Sequence, residues 1–214
     1  MSCRNGRFRF ELPSGLPPAG WLSSVVAASE QEAWLASVGG TLWRWRGAAG
    51  TNRWATFEAP DANYRSTFCQ DSQGRIWYRT QDGWLGWFDG AQFVRVPTNC
   101  GLSGLQVNRL ACDPRGRVWV GTERELAAWD GGRFVNQTPT NGEPVITVQH
   151  LAFAGDGSLW VRTQTQLRKC AGREWVAEAE FQDARLQELG PSVEMEMQDD
   201  GRGGVWLAHY EAGF

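Results

Sequence analysis

Two histidines, His150 and His209, and a series of recurring acids are the residues of this chain whose types could carry chemistry. A general base works only when a second group positions it. His150 sits between Gln149 and Leu151, a setting that suits a core or channel-lining strand residue. His209 and Tyr210 follow a Trp-bearing strand, where a solvent-facing loop is expected. Neither spacing assembles a nucleophile, a base and an orienting partner, so no catalytic set is read from the chain. Glu194, Glu196 and the pair Asp199 and Asp200 resemble glycosidase carboxylates. Glu194 and Glu196, however, alternate with Val193, Met195 and Met197, which is the period of a strand with its acids on one face. Asp71, Asp113 and Asp200 occupy turn sequences in which an Asp side chain bonds the backbone amides that follow it, and they are read as turn formers. No calcium-loop spacing is present. The five cysteines, Cys3, Cys69, Cys100, Cys112 and Cys170, contain no C-x-x-C pair. No metal and no cofactor is therefore expected. The cysteines read as small apolar strand residues, with one disulfide left open for an oxidising compartment.

The elements that would position such residues begin with composition. Of 214 residues, 42% are hydrophobic, 26 are Gly and 13 are Trp, which implies a globular chain with a real core and many tight turns. The formal net charge is -3 and the basic residues are scattered, with Lys169 the only lysine, so nucleic acid is not expected as a partner. No apolar run is long enough to span a membrane, and no signal-peptide core follows the first residues. No membrane contact is expected of this segment.

An internal period organises the chain. Aligning SEQEAWLAS, DSQGRIWYRT, DPRGRVWVGT, AGDGSLWVRT and DGRGGVWLAH puts Trp34, Trp77, Trp119, Trp160 and Trp206 in register at intervals of 43, 42, 41 and 46 residues. That period suits a four-stranded propeller blade and is too long for leucine-rich or ankyrin units. The third copy shows how one period makes four strands: VNRLACD, the turn Pro114-Arg115-Gly116, RVWVGT, a loop opened by Glu123 and Arg124, LAAWD, the tight turn Gly131-Gly132, and RFVNQ. The second copy repeats the last hairpin as Phe88-Asp89-Gly90-Ala91-Gln92-Phe93, and the fourth as Cys170 to Trp175. The first copy has a longer turn before Arg53 and Trp54. Apolar runs such as IWY and VWV imply burial on both faces, as between two neighbouring blades. The expected fold is all-β, a propeller of four-stranded antiparallel blades with about five repeats of roughly 42 residues. It forms one domain over 1–214, with blade motifs at 22–58, 64–98, 106–139, 147–180 and 193–214 plus 1–10. All five repeat tryptophans are expected at equivalent second-strand positions, buried between blades.

Residues 101 to 134, GLSGLQVNRLACDPRGRVWVGTERELAAWDGGRF, resemble the two-component regulator propeller repeat in their Asp-x-x-Gly turn, apolar residue and Trp, Gly-Thr and aromatic-Asp-Gly turn. The second and fourth copies lack the Gly of Gly121-Thr122 but keep Thr80 and Thr163. The resemblance implies the sensor propeller of a hybrid histidine kinase, often one that responds to carbohydrates, in the periplasm as part of a larger sensor. No phosphoacceptor helix, nucleotide-binding glycines or receiver aspartates are present, so any kinase would lie on other sequence. If the chain were complete as given, without a signal peptide, it would be cytoplasmic. Streptogramin lyases share the turn but need a histidine base and a metal that this chain is poorly equipped to supply. The sialidase box is not met, because Cys69, Ala111 or Gln198 stands two before the Asp.

The expected function is non-catalytic ligand sensing or interaction, with a propeller glycan hydrolase or lyase as the alternative. The expected partners are a carbohydrate or other small ligand and the remainder of a histidine kinase or regulator. The expected binding face joins the loops between second and third strands to the linkers between blades, with Tyr64, Asp82, Glu123, Arg124, His209 and Tyr210 as candidates and the Asp-Gly turns at the opposite end. Residues 3–8 align with 129–134, so both termini fall inside the third strand of the repeat. A piece of a larger propeller is expected; the rival is a five-bladed ring closed by residues 1–9.

Overall fold

Short runs rich in β-branched and aromatic residues, separated by Asp, Gly and Pro turns, form strands throughout. The structure, a computed structural model, describes residues 2–4, 7–9, 22–29, 31–37, 41–48, 51–58, 68–80, 83–103, 106–141, 147–163, 166–180 and 195–209. Among them every regular element is a strand. The chain divides into two compact units, 1–66 and 67–214.

The first unit contains a hairpin, β1 (Ser2–Arg4) with β2 (Arg7–Arg9), and a four-stranded sheet in chain order, β3 (Leu22–Ser29), β4 (Glu32–Ser37), β5 (Thr41–Ala48) and β6 (Thr51–Glu58). The hairpin pairs Cys3 with Phe8, the register in which the third repeat pairs Trp129 with Phe134. The longer turn expected before Arg53 is absent. The strands continue instead through Arg46 opposite Arg53 to Ala48 opposite Thr51, because ladder bonds replace a loop that would otherwise need solvent. Trp34 is buried, its ring tilted at 32° to Phe57 with centroids 5.7 Å apart and the Arg44 guanidinium over it.

The second unit holds three antiparallel four-stranded sheets. They are β7 (Phe68–Gln70), β8 (Ile76–Arg79), β9 (Leu85–Phe88) and β10 (Phe93–Arg95); β11 (Val107–Cys112), β12 (Val118–Thr122), β13 (Leu126–Trp129) and β14 (Phe134–Asn136); and β15 (His150–Phe153), β16 (Leu159–Arg162), β17 (Gln166–Ala171) and β18 (Glu174–Glu180). A two-stranded sheet follows, β19 (Met195–Asp199) with β20 (Val205–His209). Successive sheets touch through their first strands, β7 with β11, β11 with β15 and β15 with β19. This is the blade arrangement of a β-propeller.

Strand alternation distributes one sheet between two cores. Val118, Val120 and Ala127 pack with Trp77, Leu85 and Val107 on one side of the β11–β14 sheet. Trp119, Leu126 and Ala128 pack with Leu151, Leu159 and Val161 on the other. Both faces are dry, which is why the strands read as continuous apolar runs. Trp77 is fully buried, with ring centroids 5.0 Å from Trp87 and 5.2 Å from Trp129.

The equivalent positions of the repeat tryptophans are as expected, but their burial is not uniform. Trp160 is only partly buried, and Trp206 is 71% exposed. The physical reason is local: β19 and β20 form a two-stranded sheet, and no further sheet of the kind that covers Trp77 lies on Trp206 among the described residues. Of the cysteines, Cys69 and Cys112 are joined by a disulfide between the first strands of neighbouring blades, while Cys100 and Cys170 are free and buried.

Candidate functional site

The two ends of the second unit are built by different chemistry. At one end lie the turns between first and second strands and between third and fourth strands. The Asp71 carboxylate accepts from Gln73 N and Arg75 N at 2.9 Å, from Arg75 Nε at 2.6 Å and from Trp77 Nε1 at 2.7 Å. Asp113 repeats the pattern with Arg115 N, Arg117 N and Trp119 Nε1. Asp71 and Asp113 are therefore more than turn formers, since each also satisfies the indole N–H of the Trp six residues on. In the fourth repeat Ala154 takes their place, and the buried Trp160 Nε1 finds no acceptor among the described residues.

Asp89 and Asp130 close the outer hairpins by accepting from the amides of Gln92 and Ala91, and of Gly132 and Arg133; these bonds hold both carboxyls below their ordinary pKa. Asp156 is lowered to about 2, first by the Ser158 hydroxyl and then by the Ser158 amide and Lys169. Lys169 also donates to Gly203 O at 2.7 Å, tying the fourth sheet to the β19–β20 turn. Gly116 has φ +75°, and a Cβ there would lie 2.5 Å from Ser72 N, so the neighbouring turns approach as only glycine permits. Ser72 N donates to Gly116 O at 3.0 Å across that gap. A polar cleft of about 210 Å³ remains between these turns, lined by Asp71, Arg75, Arg115, Arg117 and Asp130 among others.

At the other end, threonine builds each loop. Thr122 Oγ1 accepts from Arg124 N and Glu125 N at 3.1 Å; Thr80 Oγ1 accepts from Trp84 N, and Thr163 Oγ1 from Gln166 N. The linkers between blades are sewn onto these loops: Val107 N donates to Gly83 O, Thr147 N to Glu123 O and Val148 N to Thr122 O. At Gly121 any Cβ would meet Val148 Cγ1 at 2.4 Å, which accounts for the Gly of the Gly-Thr pair. Glu125, 5% exposed, receives Ser103 N and Ser103 Oγ at 2.7 Å and Asn136 Nδ2 at 3.0 Å, and so pins the preceding linker to the loop. Arg79, equally buried, reaches from β8 to Val107 O at 3.2 Å.

Glu123 and Arg124 lie in the β12–β13 loop and are exposed, and their side chains make no hydrogen bond or ion pair among the described residues. Tyr64, Asp82 and Tyr210 fall outside the described residues, as do Gln81 and Gln164. His209 is not on a loop. The strand alternation of VWLAH runs through it, and its backbone pairs with Met195 at the end of β20. His150 lies partly buried in β15 opposite Arg162. The structure thus joins the Glu123–Arg124 loop to the linkers between blades. Glu125 was missed because the tract Glu123-Arg124-Glu125 does not show which acid turns inward; its partner Ser103 lies 22 residues away. Among the described residues no cluster of three or more His, Cys, Asp or Glu could hold a metal, and no helix is long and apolar enough to cross a membrane.

Residues 101–124 match the family described as two component regulator propeller. No curated protein matches the chain. Among solved structures, the extracellular domain of a putative one component system from B. thetaiotaomicron aligns with TM-score 0.62 at 19% identity, covering 94% of this chain and 28% of that one. The extracellular domain of a putative hybrid two component system from the same organism aligns with TM-score 0.53 at 16% identity, covering 69% of this chain and 21% of that one. A catalytically inactive virginiamycin B lyase from Staphylococcus aureus, with quinupristin, aligns with TM-score 0.61 at 10% identity, covering 88% of this chain and 63% of that one. At identities this low the likeness establishes the fold. The chain spans between a fifth and a third of the sensor chains it aligns with.

Proposed function

We propose that this propeller, which carries a two component regulator propeller repeat at residues 101–124, is a non-catalytic sensor module that binds a small ligand, carbohydrate being the class to test first. In this reading it works in the periplasm, covalently linked to the remainder of a regulator that reads the bound state. One observation carries the proposal, the asymmetry between the two ends of the second unit. At the turn end the recurring carboxylates are consumed by their own turns and tryptophans. At the loop end Glu123 and Arg124 project, uncommitted, from a backbone locked by Thr122, Glu125 and the linkers. A rigid frame that presents free polar groups lowers the ordering cost of binding. In this reading Glu123 accepts ligand hydroxyls and Arg124 donates to them, and Tyr64, Asp82, His209 and Tyr210 are further candidates from the sequence alone.

Calorimetric titration of the chain with a panel of neutral and acidic oligosaccharides tests this. Binding by at least one of them is expected, with a loss of about tenfold or more on replacing Glu123 and Arg124 by alanine, because each charged hydrogen bond contributes about 1.5–3 kcal/mol. Binding that survives the double substitution unchanged, or turnover of a titrated glycan, would contradict the proposal.

A further inference from the structure

We infer that the Cys69–Cys112 disulfide is a redox latch between neighbouring blades, closed only in an oxidising compartment, so that the stability of residues 67–214 depends on redox state. The inference is independent of any ligand. Cys69 lies in β7 and Cys112 in β11, the first strands of adjacent sheets, and the bond joins residues 43 apart, about one repeat period. Their Cα atoms are 5.7 Å apart, within the span that native disulfides use. The two strands are held together by more than the bond. Ser72 N donates to Gly116 O between the adjoining turns, Arg79 reaches Val107 O, and Cys69 shares one core with Trp77, Leu110 and Val118. Folding of the two blades therefore brings the thiols into register before they are oxidised.

Closure is a two-electron step. Each thiol loses its proton, the S–S bond forms, and the electron pair passes to an external disulfide, such as oxidised glutathione or a disulfide-bearing oxidoreductase, which leaves as two thiols. A reducing cytosol runs the exchange backwards. Cys100 and Cys170 are free and buried in the structure. Burial pushes the Cys170 thiol up to about 11, which leaves almost no thiolate at neutral pH.

The test uses the full chain refolded with a glutathione redox buffer. Non-reducing tryptic mapping should find peptide 66–75 linked to peptide 110–115. A thermal scan should show a melting temperature that falls by roughly 10 °C on full reduction, from the loop-closure entropy of such a crosslink. Cys69→Ser, Cys112→Ser and the double variant should melt at the reduced value and ignore reductant, whereas Cys100→Ser should keep the full response. Peptides that stay unlinked after oxidation, a link to another cysteine, or a melting temperature indifferent to reduction would overturn the inference. Should a serine variant fail to fold, the wild-type map and its reductant response still decide.

Discussion

The segments DSQGRIW, ending at Trp77, and DGRGGVW, ending at Trp206, form nearly the same turn and opposite environments. In both, the leading Asp accepts from the amides two and four residues on, and the glycine at the fourth position takes positive φ, +79° at Gly74 and +87° at Gly203. Yet Trp77 is 0% exposed and Trp206 is 71% exposed. The difference is the sheet that comes next. Trp77 is enclosed by Trp129, Phe134 and the β11–β14 sheet, whereas among the described residues the β19–β20 pair carries its Trp on an uncovered face. The seven-residue motif thus specifies a turn and a strand, while burial comes from the neighbouring blade. Among the described residues, the exposed Trp206 lies on the strand pair over which no further sheet is placed.

Substitution should separate the two sites sharply. Trp77→Ala should destabilise the second unit by about 3–5 kcal/mol, as a large-to-small change in a closed core. Trp206→Ala should cost no more than about 0.5 kcal/mol, as a surface change. Chemical denaturation of both variants checks this, and equal losses would mean that exposure does not report the packing. The fourth repeat sharpens the comparison in the other direction. Ala154 occupies the Asp position of the turn, its amide donating to Ser158 O as Asp71 N donates to Arg75 O. Ala154→Asp should supply the acceptor that buried Trp160 Nε1 lacks and raise stability by about 1 kcal/mol. A loss of stability would show that the Asp–Trp bond does not transfer between repeats.

The period of the tryptophans and the Asp-Gly turns made the blades legible: strands β3 to β6 run from Leu22 to Glu58 in chain order, and the third repeat pairs as read from VNRLACD to RFVNQ. What stayed hidden depended on contacts between distant residues. The spacing of Cys69 and Cys112 places them on equivalent strands of successive repeats, a signal for the disulfide, but their facing geometry is set only by the packing of two sheets. The inward turn of Glu125 depends on a linker one strand away, and the exposure of Trp206 on what adjoins β20. The repeat register puts Glu123 and Arg124 in a loop between second and third strands, whereas His209, expected on a loop, ends β20 because the strand runs one residue further than its turn signals implied.

The claim that one end of the propeller binds while the other only holds the blades together is tested most directly by amide shift mapping of the chain, titrated with whichever oligosaccharide of the panel binds. The account predicts that the perturbed amides cluster in the Glu123–Arg124 loop and the linkers at Gly101–Ser103 and Thr147–Gln149, leaving the amides that bond Asp71, Asp113 and Asp130 unmoved. Shifts concentrated on the Asp-Gly turns and the cleft beside Arg75 and Arg115 would contradict it.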